Sequence, residues 1–383
     1  MCPFDPDARD PEELLVSYRD LVCWAEALRK AGAPAVTVVQ RFRRDGHLSR
    51  NGVDYRFVGD GAPPSVPPWY LGQRVVRTVA TACPTVVHVD GLVFPLLVRH
   101  LRMRLPRRTA IVAQDHGGIH DGSPGFHRWR WRTLHRLGLR AADGFLFTAR
   151  ELAAPWQRAN IMDGGQDIYE VPESSTDLAS DIPPADGAGL GLPGQPSLLW
   201  VGRLNENKDP LTVLDGFERA AATLPRAALT MVFGTDDLLV SVRQRISSSP
   251  VLAKRVHLLG RLDRRRLPAL YATADFFVLG SHHESAGFAL IEALSFGATP
   301  VVTDIPSFRV LTDGGRLGAL FPVGDAPSMA SALVRLGKAT TELASRRAFV
   351  RAHFAREFSW PAVGRKALAS YQAAAFRRRD VAG

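Results

Sequence analysis

At 383 residues the chain is long for one domain and natural for two, and 46% hydrophobic content can fill two cores. Three cysteines (Cys2, Cys23 and Cys83) are too few and odd in number for a disulfide framework, and no apolar run reaches the roughly 18 residues of a membrane span. The net charge of +10, almost all of it arginine, points to anionic partners such as nucleotides or phospholipid headgroups.

Short apolar, β-rich runs alternate with helical patterns along the whole chain. Residues 1–9 are polar, include Asp5 and Asp7, and do not resemble a signal peptide. A cytoplasmic protein is expected. A doubly wound domain should open with a strand, so Met1 to Phe4 is expected to be part of a first strand shortened by truncation or a late start. A helix follows, capped by Asp10, with Pro11 in its first turn and a stop at Gly32. Leu14, Leu15, Tyr18, Leu21, Val22, Trp24, Ala25 and Leu28 form its apolar stripe. Strands are expected at residues 36–40, 86–89, 110–114 and 144–147. Arginines cluster between these elements at 99, 102, 104, 107 and 108, and again at 128, 130, 132, 136 and 140. The plain reading is solvated helix faces; the sharper one is a footprint for an anionic membrane or acceptor. No zinc spacing or aromatic-interleaved basic motif supports nucleic-acid binding.

Residues 177–197 are rich in proline and glycine and are expected to link two domains. Strands resume at 198–201, 229–233, 256–259, 276–279 and 300–302. Runs this apolar suit strands buried on both faces, and their alternation with helices suits βαβ units. The domains are thus read as 1–176 and 198–359, with a last helix at about 360–383 returning to the first.

The strongest chemical signal is HHESAGFALIE at residues 282–292. It leads from a strand into a helix N-terminus, where free backbone N–H groups attract anions. Gly287 lets backbone approach a ligand. Glu284 and Glu292 lie more than two helical turns apart and can accept hydrogen bonds from hydroxyls at two ends of an extended ligand. The plainer reading makes Glu284 a cap and Glu292 a surface residue, but Glu292 sits among Leu290, Ile291, Ala293 and Leu294, where an unpaired carboxylate is costly.

A second signal is VGRL at residues 201–204 followed by Lys208. Arg203 and Lys208 come just after a strand's carboxyl end, where open parallel sheets bind ligands. A guanidinium fork and an ammonium suit a diphosphate and could stabilise its charge as it leaves. In the first half, Asp115, His116, Gly117 and Gly118 end a strand in the same way. His116 could bond a sugar hydroxyl or move a proton; His88 and Asp90, on a neighbouring strand, are weaker candidates. His120, His282 and His283 lack metal-ligand spacing.

At these residues the chain resembles the retaining GT-B glycosyltransferases of family four. ESAGFALIE, from Glu284 to Glu292, matches that family's E-x7-E signature, supported by Gly202-Arg203-Leu204 with Lys208, HLLGRL at 257–262, IEALSFG at 291–297 and VVTDIPSFR at 301–309. VVHVDG and QDHGG carry a looser likeness in the first half. The resemblance implies two Rossmann-like, doubly wound parallel-sheet domains with an interdomain cleft. It implies a nucleotide-diphosphate sugar donor, a separate acceptor and no bound metal or other cofactor. Glu284 would contact the donor sugar, Arg203 and Lys208 the diphosphate, and Glu292 the ribose. Ser285, Gly287 and Phe288 would border sugar and phosphate, the last two through backbone N–H groups. Gly260 and Arg261 would border the base, and His116 would approach the sugar from the first domain.

Three departures stand out. Ala286 replaces an aromatic, the glycine pair after the first strand is absent, and Val171 to Ser175 replaces an I-P-N-G turn. Rival readings are a catalytically silent sugar-nucleotide-binding or assembly-partner protein, a sugar isomerase or phosphorylase on the same fold, and a nucleic-acid-binding protein suggested by charge alone.

Overall fold

The computed structural model describes residues 6–117, 128–181, 191–338 and 342–382. The expectations for Met1 to Phe4, Gly118 and His120 lie outside them, as does the middle of the proline- and glycine-rich stretch. The chain folds into two compact units, Met1–Ser174 with Trp360–Gly383, and Ser175–Ser359.

In the first unit, Asp10 accepts a hydrogen bond from the Glu13 N–H at 2.9 Å and opens α1 (Pro11–Ser17). The single helix expected up to Gly32 breaks at Tyr18 (φ −107°, ψ 49°) and resumes as α2 (Arg19–Lys30). The two helices feed two cores: Leu14 and Leu15 of α1 and Val22 of α2 pack with Phe42, Tyr55 and Phe57, whereas Trp24 and Leu28 of α2 pack with Ala110, Val112 and Leu146.

Next come β1 (Val36–Phe42), β2 (Gly46–Arg50), β3 (Val53–Gly59) and α3 (Gln73–Thr81). They are followed by β4 (Val86–Asp90), α4 (Pro95–Arg104), β5 (Ala110–Gln114), α5 (Trp129–Leu139), β6 (Gly144–Phe147), α6 (Ala154–Arg158) and β7 (Asp167–Glu170). The strands form two sheets, β1-β3-β2 and β4-β5-β6-β7. The second is wholly parallel. In the first, β2 runs antiparallel to β3, a departure from an all-parallel expectation. Asn51-Gly52, at φ 51° and 75°, makes the two-residue turn that forces the reversal.

The second unit holds β8 (Ser197–Gly202), α7 (Pro210–Ala221), β9 (Ala228–Phe233), α8 (Leu239–Ser247), α9 (Pro250–Arg255), β10 (Val256–Gly260) and α10 (Leu267–Thr273). It continues with β11 (Phe276–Leu279), α11 (Phe288–Phe296), β12 (Thr299–Thr303), α12 (Pro306–Leu311), β13 (Ala319–Phe321), α13 (Ala326–Lys338) and α14 (Leu343–Glu357). All six strands are parallel, in the order β10-β9-β8-β11-β12-β13. Strand order therefore reverses direction between β8 and β11. Leu178, within the expected linker, is buried in this unit's core. The last helix, α15 (Trp360–Ala382), packs on the first unit, where Val363, Ala367, Tyr371 and Ala374 join Trp24 and Leu28. Among the described residues no helix is long and apolar enough to cross a membrane.

Candidate active site

In an open parallel sheet, ligands bind beyond the strands' carboxyl ends where the strand order reverses. Here that point lies between β8, followed by Arg203 and Lys208, and β11, followed by Glu284. The two loops are stitched together by Asn207. Its side-chain amide donates to the His283 carbonyl at 3.0 Å and accepts from the His283 N–H at 3.0 Å. Its carbonyl accepts the His282 N–H at 2.8 Å. Asp209, in a left-handed conformation (φ 41°), caps α7 through Thr212 and also meets His282 Nε2 at 3.1 Å.

The structure pairs the Lys208 ammonium directly with Glu284 Oε1. Ser281 Oγ donates to the same oxygen at 2.7 Å, and Ser307 Oγ donates to the Glu284 carbonyl at 2.6 Å. Both ends of the ion pair are almost buried, 13% and 12% exposed, so it is an organised charge rather than a solvated surface bridge. Arg203 differs: it is exposed, with no carboxylate paired to it among the described residues. Of the two cations assigned to the diphosphate, only Arg203 faces solvent unpaired.

Gly287 opens α11 at φ 65°, with no side chain capping the helix. A Cβ there would come within 2.8 Å of Leu311, so glycine is required by both conformation and space. Ser285 and Ala286 are buried beneath this turn, and Phe288 is 48% exposed. Glu292 lies further along α11. Its Oε2 accepts from the Tyr271 hydroxyl at 2.9 Å, and its Oε1 meets Arg264 at 3.4 Å. Gly260 closes β10 at φ 67° with open space beside it, and Arg261 is exposed after it. Arg203, Lys208, Gly260, Arg261, Glu284, Ser285, Gly287 and Phe288 thus lie at or just after the carboxyl ends of β8, β10 and β11, and Glu292 lies further along α11 beside Arg264. Asn207, Tyr271, Ser281 and Ser307 were not legible as partners; an amide, a phenol and two hydroxyls among apolar residues carry no spacing signal.

The first unit has a separate polar cluster at its own strand ends. His116 bonds Asp90 through Nε2 and Glu173 through Nδ1, the latter at 2.7 Å. Burial opposes charging the imidazole, but the hydrogen bonds and charges of Asp90 and Glu173 prevail and push it up to about 10. His116 is thus an imidazolium at neutral pH with both nitrogens engaged, which does not suit a general base. His88 is structural: burial pushes it down to about 4, and its Nδ1 meets the Tyr371 hydroxyl at 2.7 Å. Among the described residues no cluster of three His, Cys, Asp or Glu side chains is placed to hold a metal ion.

Residues 195–338, which hold Arg203, Lys208, Glu284 and Glu292, match the family described as Glycosyl transferases group 1. The group 1 match is carried by the second unit, and the chain is a glycosyltransferase. A GDP-mannose:cellobiosyl-diphosphopolyprenol alpha-mannosyltransferase of Xanthomonas oryzae pv. oryzae is 27% identical over 285 residues, 72% of this chain and 69% of that one. A phosphatidyl-myo-inositol mannosyltransferase of Mycobacterium leprae is 28% identical over 59% of this chain and 58% of its own. In fold, the glycosyltransferase is similar to sucrose-phosphate synthase from Thermosynechococcus elongatus, with a TM-score of 0.67 at 20% identity across 100% of this chain and 98% of that one. An E. coli trehalose-6-phosphate structure bound with UDP-2-fluoro glucose gives 0.65 at 12% identity, covering 97% of each chain. Two Rossmann-like units of this kind are the GT-B fold.

Proposed function

We propose that this glycosyltransferase transfers mannose, with retention of anomeric configuration, from a nucleoside-diphosphate sugar bound in the second unit. The observation that carries the donor site is the Lys208–Glu284 ion pair, with exposed Arg203 on the same loop after β8, where strand order reverses between β8 and β11. Arg203 would hold the diphosphate, with the N-terminus of α11 supplying backbone N–H groups. The Lys208–Glu284 pair would meet the sugar end, Glu284 accepting hydroxyls and Lys208 countering charge on the leaving phosphate. Glu292 would accept the ribose hydroxyls. Gly260 and Arg261 would border the base. The arginine and lysine would supply the positive charge the diphosphate needs without a metal. The mannosyl choice follows the names of the relatives from Xanthomonas and Mycobacterium.

A transfer assay with GDP-mannose, UDP-glucose and UDP-N-acetylglucosamine, with and without EDTA, tests the reading. Sugar release or transfer from GDP-mannose that survives EDTA and falls at least a hundredfold in Glu284→Gln supports it. A folded protein that neither binds nor turns over any of the three would favour a silent partner protein.

The acceptor is proposed to be presented at an anionic membrane. α5 exposes Trp129 (74%), Arg130, Thr133, Arg136 and Leu137 (47%), positions that fall within about one third of the helix circumference. Neither α4 nor α5 carries an acidic residue. Arg102 is spent internally on Asp143 and Arg132 on the Ala159 carbonyl, but Arg99, Arg104, Arg130 and Arg136 are exposed. Apolar and cationic side chains on one face suit a headgroup layer. Co-sedimentation with phosphatidylglycerol vesicles, but not phosphatidylcholine vesicles, is expected. It should be lost in Arg130→Glu/Arg136→Glu and kept in the charge-matched control Arg243→Glu. Equal binding to both vesicles would overturn this part.

A further inference from the structure

Glu292 is a carboxylate inside an apolar helix. Leu290, Ile291, Ala293 and Leu294 around it are buried, and its own side chain is 12% exposed. Such a group is tolerated only when its oxygens are supplied with donors. The two oxygens are supplied differently. Oε2 is held from within by the hydroxyl of Tyr271, on α10, at 2.9 Å. Oε1 lies 3.4 Å from Arg264, whose side chain is 60% exposed.

Tyr271 is built to stay where it is. It is completely buried, its ring stacks on Phe296 of the same helix as Glu292 (centroids 5.7 Å apart, planes at 14°), and it leans on Phe277 of β11 at 6.2 Å. Phe277 and Phe296 are themselves buried. The phenol therefore reaches Glu292 from a fixed ring with few rotatable bonds, whereas Arg264 reaches it along a long, solvated side chain. Burial and the nearby carboxylate push the Tyr271 phenol well above its ordinary range, so it remains a proton donor. A hydrogen bond from a fixed ring to one carboxylate oxygen restricts rotation of the carboxylate plane and so the direction in which it accepts.

We propose that Tyr271 is a positioning residue: its hydrogen bond aims Glu292 at the ribose hydroxyls and so makes the donor site select ribonucleotides over nucleotides lacking those hydroxyls. This rests on Glu292 being the ribose partner. A site that receives substrate hydroxyls on a pre-aimed acceptor discriminates strongly against analogues without them, because the acceptor is then left unpaired. An acceptor free to rotate loses much of that discrimination, since ordering it costs part of what the contact returns.

The test is titration calorimetry with GDP, UDP and ADP, each compared with its 2′,3′-dideoxy counterpart. For whichever ribonucleotide binds, wild type should prefer it over the dideoxy form at least tenfold. Tyr271→Phe should weaken the ribonucleotide about tenfold, yet leave the dideoxy nucleotide within about twofold, which also shows the site is folded. Glu292→Gln should abolish the preference, and adding Tyr271→Phe to it should change nothing further, because the phenol acts through the carboxylate. Should Tyr271→Phe alone not fold, the double variant, which has no buried charge to strand, still answers. If it keeps a ribose preference, the proposal is overturned. Equal weakening of both nucleotides by Tyr271→Phe, or none of either, overturns Tyr271's role while leaving Glu292's intact. A ribose preference unchanged in Glu292→Gln sinks the reading of Glu292 and the proposal with it. If none of the three nucleotides binds wild type, the donor-site reading fails first and takes the proposal along.

Discussion

His116 has both ring nitrogens committed to carboxylates, and this makes its charge testable. Its folded-state value is raised to about 10, so its contribution to stability is fully present below the ordinary histidine range. That contribution is lost as pH rises through the raised value. Asp90 is shifted the opposite way: burial raises it, but the hydrogen bond from His116 and the surrounding positive charge together prevail and lower it, so its contribution fades only in strong acid. The melting temperature of wild type relative to His116→Gln should therefore be highest between about pH 4 and 6, fall as pH rises through neutrality, and converge above about pH 10. Nitrogen-15 spectra should show His116 as imidazolium at pH 8; a neutral ring there would refute the clamp. In the second unit, Arg203 and Lys208 should separate cleanly. Removing exposed Arg203 should weaken nucleoside-diphosphate binding by roughly tenfold with little change in stability, because nothing buried loses its partner. Lys208→Met strands Glu284, and should also destabilise the unit by about 3 kcal/mol in chemical denaturation. The residue types at these positions were legible from strand ends and spacing. Their pairings were not: nothing in the order of the chain says that Lys208 meets Glu284 while Arg203 stays apart, or that Asp90 and Glu173 converge on His116.

The long buried strands were readable because their faces are covered on both sides, which leaves an uninterrupted apolar run: β5, β6, β9 and β11 are buried at every position. β2, β3 and β7 escaped notice for the complementary reason, being broken by polar residues and only partly buried, and β13 because it is only three residues long. The Asn51-Gly52 turn was a signal present and not used; its two positive φ values are those a two-residue hairpin demands. The site depends on elements meeting as much as on its charged groups, and Asn207 is the stitch between the loops after β8 and β11. Asn207→Ala removes a reciprocal amide pair and should cost about 2 kcal/mol in stability. Because Lys208 and Glu284 sit on opposite sides of that stitch, kcat/KM should fall further than the stability loss accounts for. Asn207→Asp, which keeps the acceptor for the His283 N–H but loses the donor, should fall between. An Asn207→Ala enzyme with full activity at a temperature where it is folded would show that the ion pair alone sets the loop geometry.

Chain order and compact unit do not coincide: the last helix belongs to the first unit, so that unit is complete only when the whole chain is present. Its core there is specific rather than merely apolar. Val363, Ala367 and Ala374 fill space beside Trp24 and Leu28, Gly364 lies against Ala27 with no room for a Cβ, and the Tyr371 hydroxyl joins the Trp24 indole to His88. The second unit has its own continuous sheet, its own core and every residue proposed above to hold the donor nucleotide, so it does not need α15 to hold that site. Calorimetry should accordingly resolve two transitions with different sensitivities. A donor nucleotide at a hundred times its dissociation constant should raise the second unit's transition by mass action, by about 2.7 kcal/mol, and leave the first nearly unmoved. Ending the chain at Ser359 should do the reverse, abolishing the first unit's transition while the second still melts cooperatively and still responds to nucleotide. A truncated chain in which both transitions disappear would mean that the donor site depends on the first unit for its fold. The proposal that the second unit holds the donor nucleotide by itself would then have to be withdrawn.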